Sequence, residues 1–263
     1  MGARRPLLVA SAACLLGACT PAPIEVATVD QGALTDGLLA HWPLDENSGA
    51  ATADTVGGYN GVLQGPGWTW QSGRWGAAVH FSGTDMVTVP SFPKLMRNFS
   101  VSAWVYIASN EVGTPIANLV STEISGGGWA LYAQLIPGSE YYSFEYAVTP
   151  TQGMATPGLI IAQCACVQTD TWVHLTAVMD SDGGTLIVYA DSPAGSFQSP
   201  PMPATAAMLP GSAMLEIGHS TRTELGSAFP VTGAIDDVAI YNRVLEQHEI
   251  TQLDTAPVPD PRH

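Results

Sequence analysis

Apolar residues recur at every second position in short runs along this chain, and turn residues separate the runs. The clearest run is Phe99–Ile107. Phe99, Val101, Ala103, Val105 and Ile107 fall on one side, and Ser100, Ser102, Trp104 and Tyr106 on the other. A period of two is the geometry of a strand. Ala40, Trp42 and Leu44 alternate in the same way, as do Val87 and Val89. Further runs cover Trp129–Leu135, Tyr141–Val148, Trp172–Met179, Thr185–Ala190, Ala213–Gly218 and Gly233–Tyr241. The Trp172 run places Val173, Leu175, Ala177 and Met179 on a continuously apolar, inward face. Asp182-Gly183-Gly184 between two runs is the strongest hairpin signal. Nine or ten strands with regular turns predict a sandwich or barrel. One short helix is expected over Glu246–Leu253, with Ile250 and Leu253 docked on the sheet. No segment repeats with a period of 20–50 residues, which excludes a solenoid or propeller.

Composition supports an all-β chain of one domain. The 263 residues include 27 glycines and 20 prolines, and only 12% are charged. The charge is lopsided, with 23 acidic against 8 basic residues. Two of the basic residues, Arg4 and Arg5, lie in the first segment, so the remainder is more acidic still. A surface this poor in cations excludes nucleic acid as a partner. It suits a soluble exported protein and is compatible with divalent cations.

The first residues have the order of an export signal. Arg4 and Arg5 precede an apolar stretch, Leu7–Leu16, and then come Gly17, Ala18 and Cys19. The apolar stretch is too short to remain as a membrane span. Leu16-Gly17-Ala18-Cys19 resembles a bacterial lipobox, in which cleavage precedes the cysteine and its thiol carries the lipid. The resemblance implies a signal peptide over 1–18, lipid attachment at Cys19 and a location on the cell membrane or outer membrane, anchored without spanning it. Residues 19–37 read as a tether. The domain is expected over 38–254, and 255–263 as a proline-rich tail with no core to join.

Seven segments in order carry a second resemblance: GLLAHWPLDENSG (37–49), ADTVGGYNGVLQG (53–65), GRWGAAVHFSGTDMVTVP (73–90), FSVSAWVYI (99–107), GWALYA (128–133), TWVHLTAVMDSDGGTLIVYAD (171–191) and GAIDDVAIYNRVLEQHEI (233–250). Together they resemble the LamG-like jelly-roll domains of the concanavalin A-like superfamily. The resemblance implies a β-sandwich of two antiparallel sheets with one short C-terminal helix. Residues 108–127 and 149–170 match poorly and are expected to be the variable connections where specificity resides. The resemblance also implies a structural Ca²⁺ between an early loop and the last strand. The matching positions are Asp54, Asn60, Asp236 and Asp237, and hard cations take oxygen ligands of this kind. By alternation Asp236 shares a face with Val238 and Ile240, and Asp237 with Ile235 and Ala239. The competing reading is that these aspartates bond backbone amides or Arg243.

Trp104 and Tyr106, opposite the apolar face of their strand, are the candidate ligand-binding pair, because aromatic rings stack on sugars and also complete cores. Trp68, Trp70, Tyr141 and Tyr142 are similar. Cys164 and Cys166 are the remaining cysteines after the first segment. Export permits a disulfide, and free thiols or a bond between chains stay open. Some relatives of this sandwich are glycoside hydrolases with Glu-x-Asp-x-x-Glu on a strand, a triplet this chain lacks. No Gly-x-Ser-x-Gly or His-Glu-x-x-His motif occurs, and no catalytic residues are assigned. The expectation is a non-catalytic envelope lipoprotein that binds glycans or proteins. A structural envelope component and a hydrolase with an unrecognised site are the alternatives.

Overall fold

The computed structural model describes residues 34–109, 116–122, 127–148, 158–206, 208–211, 214–220 and 229–260. The expected signal peptide and Cys19 lie outside these residues. The described strands form two antiparallel sheets. The first holds β1 (Leu38–Trp42), β4 (Thr69–Ser72), β5 (Ala77–Ser82), β7 (Phe99–Tyr106), β12 (Trp172–Asp180), β13 (Thr185–Ser192), β14 (Gly195–Gln198), β15 (Met202–Pro203) and β17 (Thr232–Tyr241). The second holds β2 (Ala51–Thr52), β3 (Gly61–Gln64), β6 (Met86–Val89), β8 (Ile116–Ser121), β9 (Trp129–Ile136), β10 (Ser139–Val148), β11 (Gly158–Cys164) and β16 (Leu215–Ile217). The first sheet runs β14-β13-β12-β7-β17-β5-β4, and β1 also pairs with β17. The second runs β11-β10-β9-β8-β16-β6-β3-β2. Consecutive strands such as β12-β13-β14 and β8-β9-β10-β11 alternate with neighbours from distant parts of the sequence, such as β7-β17 and β8-β16, as in a jelly-roll sandwich.

The expected alternation places the core. Phe99, Val101, Ala103, Val105 and Ile107 are all buried in the main cluster, as are Val173, Leu175, Ala177 and Met179. Leu131, Phe144 and Ile217 meet them from the second sheet. Phe99, Trp129 and Phe144 pack as a trio with centroids 5.5–6.0 Å apart. Cys164 and Cys166 form a disulfide, and both half-cystines are buried in the same cluster. The β12–β13 hairpin closes at Asp182-Gly183-Gly184, where Asp180 Oδ1 accepts the Gly183 N–H at 2.6 Å and Gly184 takes a φ of +70°. Seventeen described strands exceed the nine or ten expected. The surplus consists mainly of pieces two to four residues long, such as β2, β14 and β15, too short to show a period.

The outer face of the first sheet is covered at one end. Helix α1 (Gln247–Thr255) lays Ile250 and Leu253 onto Val178, Ala239 and Tyr241. Arg243 fixes its entry with two bonds to Glu249, at 2.7 and 2.6 Å, and a third to the Asp36 carbonyl at 2.7 Å. Glu249 also accepts the Glu246 N–H at 2.8 Å, satisfying a donor at the start of the helix. Both expected flanks turn out to be part of this cover. Leu34, assigned to the tether, and Val258, assigned to a tail with no core, are buried in the cluster with α1. Both add apolar cover to the outer face at Ala239 and Tyr241, beside Ile250 and Leu253 of the helix.

Candidate functional site

The last strand carries one residue more than its neighbour. Asp236 stands opposite Trp104, but Ala239, three positions on, stands opposite Ser102, only two positions away. This is a β-bulge, and Asp237 within it takes a φ of +49°. The expected alternation of Asp236 with Val238, and of Asp237 with Ile235, therefore fails. Ile235 and Val238 both point into the core. Asp236 shares its position across the sheet with outward-facing Trp104, and Asp237 bonds to His41 outside the core.

Each carboxylate expected to hold calcium is instead engaged separately. Asp54 accepts four backbone N–H groups: Oδ1 those of His41 and Val56 at 2.9 Å, Oδ2 those of Gly57 at 3.0 Å and Tyr59 at 2.9 Å. Asn60 Oδ1 accepts the Asp54 N–H at 3.0 Å. Asp237 Oδ1 lies 2.6 Å from His41 Nε2, and its Oδ2 accepts the Val258 N–H at 3.2 Å. His41 Nδ1 in turn lies 3.0 Å from Thr55 Oγ1. Asp236 Oδ2 accepts the Arg74 and Trp75 N–H groups at 2.7 and 3.0 Å. Among the described residues no group of three or more His, Cys, Asp or Glu is arranged to hold a metal ion. Asp54, Asn60, Asp236 and Asp237 thus do not fit a calcium centre. Four amides occupy the Asp54 oxygens, which makes it the organiser of its loop.

Asp236 is fully buried, and its Oδ1 has no hydrogen-bond partner among the described residues. Burial pushes its pKa up to about 8, reinforced by Asp237 and Asp45 and opposed by the two amides. Its partner loop is the segment Gly73-Arg74-Trp75-Gly76. A Cβ at Gly73 would fall 2.5 Å from Asp236 Oδ2, and one at Gly76 would fall 2.2 Å from Asp45 Oδ1. The two glycines therefore let two carboxylates approach the backbone from below. Asp45 Oδ1 also accepts the Ala77 N–H at 2.6 Å.

The clamped loop projects two side chains over β7. The Arg74 guanidinium carbon lies 4.4 Å from the Trp75 ring and 4.5 Å from that of Trp104. The two indoles meet edge to face at 6.3 Å. Beneath them Trp104 packs on His174 at 5.1 Å. His174 is buried with Nε2 2.8 Å from Ser102 Oγ. Burial, aided by Arg74, pushes its pKa down to about 3, so it is neutral.

Beside this stack opens a cleft of about 350 Å³, lined by Arg74, Trp104, Thr171, Trp172, Ser192, Pro193 and Asp254. Trp172 is held edge-on by Tyr106 at 5.8 Å. Asp254 comes from α1, so the helix that covers one end of the sheet also supplies one wall. Burial raises the pKa of Asp254, with Asp191 adding to the shift and Arg74 opposing it. Of the expected aromatic pair, Trp104 lines the cleft and Tyr106 props its neighbour. Arg74, Trp172 and Asp254 escaped sequence reasoning. A rare cation between two glycines was the available signal. Trp68 and Trp70 pair with each other at 6.4 Å, and Tyr142 is buried in the main core.

A laminin G-type family model, described as the concanavalin A-like lectin/glucanases superfamily, matches residues 81–251, more than half of the chain. The chain belongs to this superfamily. No curated protein matches it in sequence. Among solved structures, this lectin/glucanase-like sandwich is similar to domain 4 of AbnA, a GH43 extracellular arabinanase from Geobacillus stearothermophilus, in complex with arabinotriose. The TM-score is 0.53 at 18% identity, over 82% of this chain and 97% of that one. It is also similar to the binding domain of botulinum neurotoxin DC in complex with SialylT, with a TM-score of 0.56 at 13% identity, over 84% of this chain. The same toxin domain in complex with rat synaptotagmin II gives 0.56 at 14% identity. The chain spans about half the length of these toxin domains. At such identities the likeness is one of fold.

Two outcomes test the roles of the aspartates in this superfamily member. Neither calcium nor a chelator is expected to shift the melting temperature, whereas Asp54→Ala should destabilise by about 3 kcal/mol or more in urea titration. A chelator-induced drop in melting temperature would restore the metal site. Asp236 gives a pH signature. Its folded pKa lies above the unfolded value, so its stabilising contribution is full below about pH 4 and is lost as pH rises through about 8. Asp236→Asn stays neutral and keeps an acceptor for the two amides. Its melting temperature relative to the parent should therefore rise steadily from about pH 5 to about pH 9. A difference independent of pH contradicts the buried neutral acid.

Proposed function

We propose that this protein is a non-catalytic, lipid-anchored envelope protein that binds glycans in the cleft between Arg74, Trp104 and Trp172. The observation that carries this reading is the composition of the cleft. The Trp172 indole, partly exposed, supplies an apolar face for a sugar ring. Thr171, Ser192 and Asp254 supply hydroxyl and carboxylate groups for sugar hydroxyls. Its volume lies in the range of small-ligand sites, roughly 300–1,000 Å³. Two structural neighbours support the choice of glycan: the arabinanase domain in complex with arabinotriose and the toxin domain in complex with SialylT. A non-catalytic role is favoured because Asp254 is the one carboxylate among the lining residues. Glycoside hydrolysis needs two carboxylates flanking the bond.

The anchoring rests on the order of Arg4, Arg5, the apolar stretch and Leu16-Gly17-Ala18-Cys19. No helix among the described residues is long and apolar enough to cross a membrane.

Two experiments follow. On a glycan array the lipid-free chain should bind at least one glycan class, and Trp172→Ala should weaken that binding by about tenfold, ~1.4 kcal/mol, with melting little changed. Retention of full affinity moves the site elsewhere. Cys19→Ser should shift the protein from the membrane fraction to the soluble fraction and abolish incorporation of labelled palmitate. Unchanged partitioning and labelling rule out the anchor.

A further inference from the structure

We infer that the cleft selects acidic sugars, with the Arg74 guanidinium receiving a carboxylate or sulfate on a ring that lies against Trp172. This rests on the glycan-binding reading and adds the ligand's charge to it.

The first support is the state of Arg74 compared with other cations of the chain. Arg97 is paired with Asp182, and Arg243 with Glu249 and Asp36. Among the described residues Arg74 makes no ion pair, although Asp254, Asp191, Asp45 and Asp236 all lie in the surrounding elements. Its side chain is exposed and lines the cleft. Contact with the indoles places charge over π faces and consumes no N–H donor. All five guanidinium donors therefore remain for a ligand.

The second support is rigidity. Two carboxylates clamp the loop backbone, Asp236 at the Arg74 and Trp75 N–H groups and Asp45 at Ala77. Two rings flank the guanidinium. Ordering a long side chain usually costs free energy at the moment of binding, and here it is ordered beforehand. A planar, preordered fork matches the two oxygens of a carboxylate or sulfate. Trp104, 2% exposed, is itself held between Arg74 and His174, which fixes the surface on which the guanidinium lies.

The third support is the field of the whole chain. With a formal charge of −15, the surface repels polyanions in general. Attraction of an acidic sugar must then come from a local cation in a sheltered place, and Arg74 meets that description. Asp254, also among the lining residues, disfavours a second anionic group nearby and accepts hydroxyl donors. A singly charged ring, oriented acid toward Arg74, satisfies both side chains.

The test titrates the lipid-free chain by calorimetry with two matched pairs: trigalacturonate with its carboxyl-reduced counterpart, and sulfated dextran oligosaccharide with unsulfated dextran. In at least one pair the acidic member should bind about tenfold tighter, and the pair showing it identifies the anion as carboxylate or sulfate. Arg74→Met keeps an apolar stem between the indoles and removes the donors. It should bring the two members of the pair within about twofold of each other. Trp172→Ala should weaken both members alike. Added salt should weaken the acidic member selectively. Equal affinity for acidic and neutral members, or a preference that survives Arg74→Met in a variant of unchanged melting temperature, overturns the inference while the glycan-binding reading stands. No binding to any glycan on the array overturns both.

Discussion

Asp236 carries a charge-bearing group into a place closed to bulk solvent, and much of the surrounding architecture answers that one constraint. Its carboxyl is buried beside an aromatic stack and finds two amide donors in a neighbouring loop. A buried carboxyl without such partners would cost several kcal/mol. The loop can reach it because glycines stand at both ends of Arg74-Trp75. Once held, the loop has few ways to place its two large side chains. Both settle on Trp104, and Trp104 settles on His174. His174 stays neutral because burial and the nearby guanidinium both oppose protonation. The chain of dependence runs from a bulge in β17 to the position of one cation at the rim of a cleft.

The same bulge divides the outer face of the first sheet. On one side of it, Ala239 and Tyr241 are apolar and require cover, supplied by α1 and Val258. On the other side, Trp104 and His174 lie buried under Arg74 and Trp75, and Tyr106 and Trp172 are partly exposed amphipathic rings that tolerate an open boundary. Asp237, within the bulge, fastens the covered part through His41 and the Val258 N–H. The open half is therefore bordered by elements that are themselves fixed, and Asp254 projects from the helix into that border.

The fold was legible because its long strands alternate faithfully. Phe99–Ile107 and Trp172–Met179 bury the residues their period assigns inward. Legibility failed where the backbone departs from the period. Nothing in Ile235-Asp236-Asp237-Val238 announces an extra residue, and only the pairing with β7 reveals it. Asp54 was readable as an acceptor, but a carboxylate has the same formula whether it meets a cation or four amides. What distinguishes the cases is the path of the loop from Val56 to Tyr59. The aromatic half of the site was visible at Trp104 and Tyr106. Arg74, Trp172 and Asp254 come from three distant segments, and their meeting depends on sheet order, which a single sequence does not display.

The fastening of the N-terminal flank has a mechanical side. Leu34 is packed in the cluster beneath α1, the Asp36 carbonyl is held by Arg243, and Leu38 pairs with Tyr241. Tension entering at this flank reaches the domain through the ladder between β1 and β17 and through the Arg243 contact. Tension entering at the cleft reaches β17 from the other side, through the amides on Asp236. The last strand is thus the member on which both loads converge. Were the proposed anchor and a bound glycan both engaged, a pull between them would be borne along this strand, which pairs with three neighbours.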